Sequence, residues 1–318
     1  MPRNPAAGLE DVLYGRAHAA PVPAVTLRAV IGAARGDFRD ARYDRVPMAL
    51  PKIIAAAQAT SQDAGPGQRA EASALLTDAY ILAADFAVKI NDDPLAWMTA
   101  DRALQAAQTS GDPLLIADAR RAVAVAMRRA RHPTRAVDLL LRACRDIEPG
   151  GNASPDQLAT YGNLLTVAAY TAATAGNRNA ATEYMTEAAT AAKRLGATTS
   201  SRQPVFGPAE LALYQVSIAQ VLGDNGTAID HARRIRPSDI PTPERKGRYW
   251  VDVARAWHQW GKPDACYQAL LAAERVAPAE VRYRPPVYRM TEDLLSRNGR
   301  NSMPGLRAFA HRVGLPGQ

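Results

Sequence analysis

Apolar and polar positions recur with a helical period along most of the chain, and the clearest stretch is Gly247–Pro278. Trp250, Val253, Ala254 and Trp257 fall on one face of a helix. Gly261, Lys262 and Pro263 interrupt the pattern, and Cys266, Leu270 and Ala273 resume it on a second helix stopped by Pro278. Large side chains on the first helix stand opposite small ones on the second. That alternation lets two helices pack closely and present a face to the next pair.

The same register recurs upstream. The small residue expected early in each second helix falls at Ala100, Ala136, Ala181, Ala228 and Cys266, followed four positions on by Leu104, Leu140, Met185, Ala232 and Leu270. Three positions further stand Ala107, Ala143, Ala188, Ile235 and Ala273, so only the fourth unit exchanges its sizes. The units are 36, 45, 47 and 38 residues apart, longer than the roughly 34 of a tetratricopeptide repeat (TPR). The pattern predicts an all-α fold, a right-handed α-solenoid of TPR-like helical hairpins.

Punctuation by Gly, Pro, Asn and Asp predicts helices over 50–60, 68–90, 95–110, 114–131, 135–147, 156–175, 178–195, 208–222 and 227–235. Asp93 is expected to cap one of them, with Pro94 in its first position. Two further helices, 286–297 and 303–313, are expected to cover the end of the stack. Residues 1–49 read as an N-terminal arm with short helices: one turn near Leu9–Tyr14, then 26–35 and 37–46 around Gly36, ended by Pro47. Residues 50–300 read as the TPR-like repeat domain of about five hairpins, and 301–318 as a C-terminal capping helix. Gly196–Gly207 is the longest predicted loop and is expected to be mobile.

Composition agrees with helix. Apolar residues make up 47% of the 318, Ala prominent among them, while aromatics are 6%. No run approaches the roughly 20 apolar residues of a membrane span, and residues 1–30 lack the pattern of a secretory signal. A cytoplasmic protein with no membrane partner is expected, with Cys144 and Cys266 as buried thiols on apolar faces. The formal charge of +8 is concentrated: from Arg233 onward there are 16 Lys/Arg against 8 Asp/Glu, and residues 1–232 balance. Such a basic quarter suits a solvated surface or an acidic partner, protein or nucleic acid.

Catalytic patterns are missing from the sequence. There is no GxxxxGK(S/T) loop, HExxH, GxSxG or Cys/His cluster at zinc spacing, so no enzyme, cofactor or metal site is expected. His18, His132, His231, His258 and His311 are scattered, and Trp250, Trp257 and Trp260 suit a core better than a base-stacking platform. The segment 37–46 sets Asp37, Asp40 and Asp44 against Arg39, Arg42 and Arg45, which suits water better than phosphate.

The solenoid register offers a better site. First helices of stacked hairpins line the concave side, and positions one step off the packing face look into the groove. Those positions hold Asp85, Lys89 and Asp92; Asp118, Arg121 and Arg128; Asn163, Thr166 and Tyr170; Glu210, Ser217 and Gln220; and Arg248, Arg255 and His258. Arg121, Arg128, Arg248 and Arg255 suit bidentate recognition of carboxylates, and Asn163 suits a peptide backbone. The candidate binding residues are therefore Asp85, Lys89, Arg121, Arg128, Asn163, Tyr170, Gln220, Arg248, Arg255 and His258, for a peptide, a protein segment or a small acidic signal.

Three stretches carry a family resemblance: LYQVSIAQVLGDNGTAIDHARRIRP (Leu213–Pro237), RYWVDVARAWHQWGKPDACYQALLAAERVAPAEVRYRPPV (Arg248–Val287) and NDDPLAWMTADRALQAAQTSGD (Asn91–Asp112). They resemble actinobacterial helix-turn-helix (XRE-type) transcriptional regulators with a TPR-like sensor region, over roughly residues 70–313. The resemblance implies a regulator whose helical half senses a ligand or partner and self-associates, a homodimer for example. The family's N-terminal DNA-binding unit has no counterpart in this sequence. DNA contact is therefore expected only indirectly, or through a missing or partner domain; use of the basic C-terminal quarter by a nucleic-acid-associated regulator is the alternative.

Overall fold

Six turns of one design set the architecture of this computed structural model, which describes residues 7–196, 206–297 and 303–315. They join α2 (Ala24–Arg39) to α3 (Val46–Asp63), α4 (Arg69–Lys89) to α5 (Asp93–Ser110), and α6 (Pro113–Arg129) to α7 (Pro133–Asp146). They also join α8 (Pro155–Thr174) to α9 (Arg178–Leu195), α10 (Pro208–Val221) to α11 (Asn225–Arg233), and α12 (Pro243–Gln259) to α13 (Pro263–Val276). In each, a backbone N–H bonds the carbonyl five residues back: Arg42 to Asp37, Asp92 to Ala87, His132 to Met127, Asn177 to Ala172, Asp224 to Ala219 and Lys262 to Trp257, at 2.8 to 3.0 Å. The residue before each donor is left-handed: Ala41, Asn91 and Arg131 in the first three hairpins, Gly176, Gly223 and Gly261 in the last three. This closure satisfies carbonyls that a helix C-terminus would otherwise leave unpaired.

The remaining elements are α1 (Ala7–Leu13), a 3-10 turn (Pro237–Asp239), α14 (Pro278–Arg282), α15 (Pro285–Arg297) and α16 (Leu306–Val313), and no strand occurs among the described residues. The fold is an all-α solenoid of consecutive hairpins. The two helices of each hairpin pack on each other, and first helices pack on the next first helix from α2 through α12. Every predicted small position, Ala100, Ala136, Ala181, Ala228 and Cys266, is buried, as are Ala107, Ala143, Ala188 and Ala273. Helix α8, in the middle of the stack, is buried nearly all round because hairpins cover it on both sides. Both cysteines are buried and free.

Several sequence expectations need correction. Gly36 does not break a helix: α2 runs through it. Pro47 begins α3 rather than ending a helix, because proline's missing N–H costs nothing in a first turn. Helix α3 crosses the expected boundary at residue 49. Leu27 and Ile31 of α2, Ile53 and Ile54 of α3 and Leu75 and Ile81 of α4 share one core, so residues 24–63 form a sixth hairpin. Asp92, not Asp93, caps α5, accepting from Leu95 N at 3.0 Å. Pro278 starts α14, an element the periodicity missed. At the C-terminal end, α16 seats Phe309 against Tyr267 in the core of the last hairpin. The expectation of mobility for the loop after Gly196 concerns residues 197–205, outside the described set.

The stack curls until its end meets its beginning. Ala277 belongs to the N-terminal core, and Tyr283 packs against it. Gly247 lets α12 approach α14: a Cβ there would lie 2.7 Å from Ala277 Cβ and 2.9 Å from Glu280 Cγ. Beside that contact, Lys89 Nζ donates to Glu280 at 2.7 Å and also pairs with Glu244, while Tyr43 donates to Glu280 across 237 positions. The concave side is therefore closed, and the open groove expected from the register becomes a central cavity.

Candidate functional site: a central arginine-lined cavity

The cavity holds about 630 Å³. Its helical lining comes from first helices α2, α4, α6, α8, α10 and α12 and from α15, and none from α3, α5, α7, α9, α11 or α13. That division is what stacked hairpins impose, with one helix layer inside and the other outside. The lining also slides. It uses the C-terminal ends of α2 (Arg35, Phe38) and α4 (Asp85, Lys89), the middle of α8 (Asn163, Tyr170) and the N-terminal turns of α10 (Glu210, Tyr214) and α12 (Glu244, Arg248). The cavity thus crosses the helices obliquely.

Eight of the ten candidate residues meet here: Asp85, Lys89, Arg121, Arg128, Asn163, Tyr170, Arg248 and Arg255. The other two do not, because they sit near the C-terminal ends of helices that face the cavity only through earlier turns. Gln220 is buried and donates to Gln259 Oε1 at 3.1 Å. His258 Nε2 pairs with Asp293 at 2.8 Å, against α15. Of the other register positions, Thr166 is fully buried, Ser217 bonds Asp252 at 2.6 Å, and the Asp92 carboxylate is used as a cap. Trp257 and Trp260 stack on each other at 5.5 Å, outside the cavity lining.

Sequence reasoning missed Arg35 and Arg39, which were assigned to the arm, and Arg245, Arg284 and Arg289 in the basic quarter. The concentration of positive charge after Arg233 was the available signal. Part of it turns inward, Arg245, Arg248, Arg255, Arg284 and Arg289 all lining the cavity. Elsewhere in that quarter four arginines hold ion pairs, Arg233 with Asp230, Arg236 with Asp239, Arg297 with Asp293 and Arg312 with Glu274.

Charge around the cavity is unbalanced, with eleven Lys/Arg against four carboxylates. Each carboxylate already holds an ion pair. Asp85 lies 3.7 Å from Arg121 and 3.9 Å from Arg35. Asp252 lies 3.8 Å from Arg248 and 3.5 Å from Arg255. Glu210 pairs with Arg245 at 3.2 Å, and Glu244 with Arg245 at 3.3 Å and with Lys89. Arg121 is 6% exposed, and its Nε and Nη2 have no hydrogen-bond partner. Arg128 donates to Thr171 Oγ1 at 3.3 Å and lies 4.8 Å from the Tyr170 ring centre. Burial, with Arg248 and Arg129 nearby, lowers the Arg128 pKa from its ordinary value. Burial likewise pushes the Glu210 carboxyl up, against the pull of Arg245 and Arg248. Phe206 closes one side, seated where Gly162 has no side chain; a Cβ there would lie 2.1 Å from the ring.

No family model matches the chain, and no curated protein is similar to it. Among solved structures it is similar to that described as "Crystal structure of BtubC (BKLC) from P. vanneervenii", at 18% identity, covering 81% of this chain and 94% of that chain, with a TM-score of 0.37. A likeness at that level carries no argument about this chain. No helix is long and apolar enough to cross a membrane among the described residues.

Proposed function

We propose that the chain is a TPR-like sensor or adaptor module whose central cavity binds a small acidic ligand. The observation that carries this reading is Arg121, buried in the cavity wall with two guanidinium nitrogens unbonded. Asp85, 3.7 Å away and shared with Arg35, opposes that charge only in part, and a ligand anion would complete the hydrogen bonds of a costly buried guanidinium. A long peptide threading the concave side is disfavoured, because Lys89 bridges to Glu244 and Glu280 where it would pass. The resemblance of Leu213–Pro237 and Arg248–Val287 to sensor regions of helix-turn-helix regulators supports a transcription-associated role exerted through a partner or another domain. The direct nucleic-acid reading draws less support, since five arginines of the basic quarter line the cavity.

The test is native mass spectrometry of the purified chain, followed by thermal shift with a panel of organic acids. A retained or stabilising anionic small molecule is expected. Arg121→Ala and Arg255→Ala should weaken its binding, and His258→Ala should leave it unchanged. Binding that ignores both arginine variants, or that follows His258, would sink the assignment. Duplex DNA titrated at two salt concentrations is expected to give no salt-dependent binding.

A further inference from the structure

Arg128 and Arg248 lean on the same aromatic ring. Their Cζ atoms lie 4.8 and 5.9 Å from the Tyr170 centroid, and Arg248 is also 5.3 Å from the centre of Tyr214. The two tyrosines meet edge-on at 6.2 Å. A ring quadrupole attracts a guanidinium but carries no net charge, so the repulsion between the two cations stands. Thr171, the hydrogen-bond acceptor of Arg128, is neutral, and the Asp252 carboxylate near Arg248 is divided with Arg255 and Ser217. Two helical turns before Arg128, on the same side of α6, Arg121 presents Nε and Nη2 without a hydrogen bond, its one ion-pair partner being Asp85 at 3.7 Å, which is shared with Arg35.

Three forked donors around one space, short of negative charge, ask for an anion with more than one negative charge and more than two acceptor oxygens. A carboxylate has two oxygens in one plane and serves one fork. A terminal phosphate has three oxygens directed apart and carries up to two charges, so several guanidiniums can grip it at once. The cavity of about 630 Å³ falls within the roughly 300–1,000 Å³ of small-molecule sites. It exceeds what a bare phosphate needs, and Tyr214, Phe206 and Val167 supply apolar lining for an attached group.

We propose that the cavity takes a small organic phosphate, its phosphoryl oxygens held by Arg121, Arg128 and Arg248 and its organic body set against Tyr214 and Phe206. This rests on the reading of the cavity as a ligand site. The full chain is titrated calorimetrically with ADP, pyrophosphate and citrate at matched ionic strength. ADP is expected to bind more tightly than pyrophosphate, and citrate at least about tenfold more weakly than ADP. Arg128→Lys is expected to weaken ADP by about tenfold or more, because an ammonium cannot form the fork. If Arg128→Lys proves misfolded by circular dichroism, Arg248→Lys carries the same test. Pyrophosphate binding more tightly than ADP overturns the organic body. Citrate binding as well as ADP overturns the phosphate class and leaves the acidic-ligand reading standing. Silence from all three overturns the proposal, and the retained-ligand mass measurement then decides the broader reading on its own.

Discussion

Lys89 Nζ reaches Glu280 Oε1 at 2.7 Å although 191 positions separate the two residues. Only 10% of the Lys89 side chain and none of Glu280 is exposed, and Glu244, 6% exposed, completes the cluster. This buried contact is what turns a row of hairpins into the wall of a cavity. Removing the cation by Lys89→Met leaves two buried carboxylates with less compensation, at a cost of about 3–5 kcal/mol. The exposed pair Arg312–Glu274 gives the control, where Arg312→Ala should cost about 1 kcal/mol or less. Urea unfolding of both variants checks the contrast; equal losses would mean that the cluster adds nothing beyond a surface pair.

The same cluster gives stability a pH dependence of known sign. Burial raises the carboxyl of Glu244, but Lys89 and Arg245 outweigh it and hold the group well below 4.5. Glu280, equally buried, is held below 4.5 by Arg284 and Lys89. Carboxylates depressed in the folded state contribute stability that is present above their unfolded value and lost as pH falls through the folded one. The gap in melting temperature between the wild type and Lys89→Met should therefore be widest above about pH 5 and shrink below about pH 4. A gap that grows on acidification would reverse the sign.

Arg131 carries a φ of 65° in an exposed turn where three other hairpins place glycine. An L side chain in that region costs roughly 1 kcal/mol, and glycine removes most of the penalty. Arg131→Gly should raise stability by about 0.5–1 kcal/mol, read as a shift in the denaturant midpoint at constant slope. A loss instead would show that the Arg131 side chain contributes more than its backbone costs.

Gly247 is tight for the opposite reason: its surroundings, not its φ, exclude a side chain. Gly247→Ala sets a methyl against Ala277 and Glu280, and the overpacking should cost about 1–3 kcal/mol. Gly32, on α2 with no atom within 4 Å of its Cβ position, is the comparison. Gly32→Ala should be neutral or stabilising by up to about 1 kcal/mol. If the two alanines behave alike in thermal melts, the close approach of α12 to α14 is not what Gly247 serves.

The hairpins were legible in the sequence because each is a local event. A left-handed residue, an Asx or proline start and a small–large–small register all act within about 40 residues, the length of one repeat. The same register assigned first helices to the inner side and so found Arg121, Arg128, Arg248 and Arg255 together with Tyr170 and Asn163. It failed at Gly36, tolerated in α2 because the packing face of Leu27 and Ile31 is strong enough, and at Pro47, which sits in the first turn of α3 where no N–H is needed.

What the sequence could not supply was the rotation from one hairpin to the next. That small angle depends on side-chain volumes at every interface, and its error accumulates over six units. It decides that Gln220 and His258 turn away from the cavity, that Arg35 and Arg284 turn toward it, and that Lys89 meets Glu280. The chain by itself determined a repeating two-layer helical wall with arginines on its inner face, because periodicity and turn chemistry are short-range. Only the tertiary structure decided that the wall curls back on itself and leaves those arginines facing one shared cavity short of carboxylates, because that curl is the sum of all the packing angles along the stack.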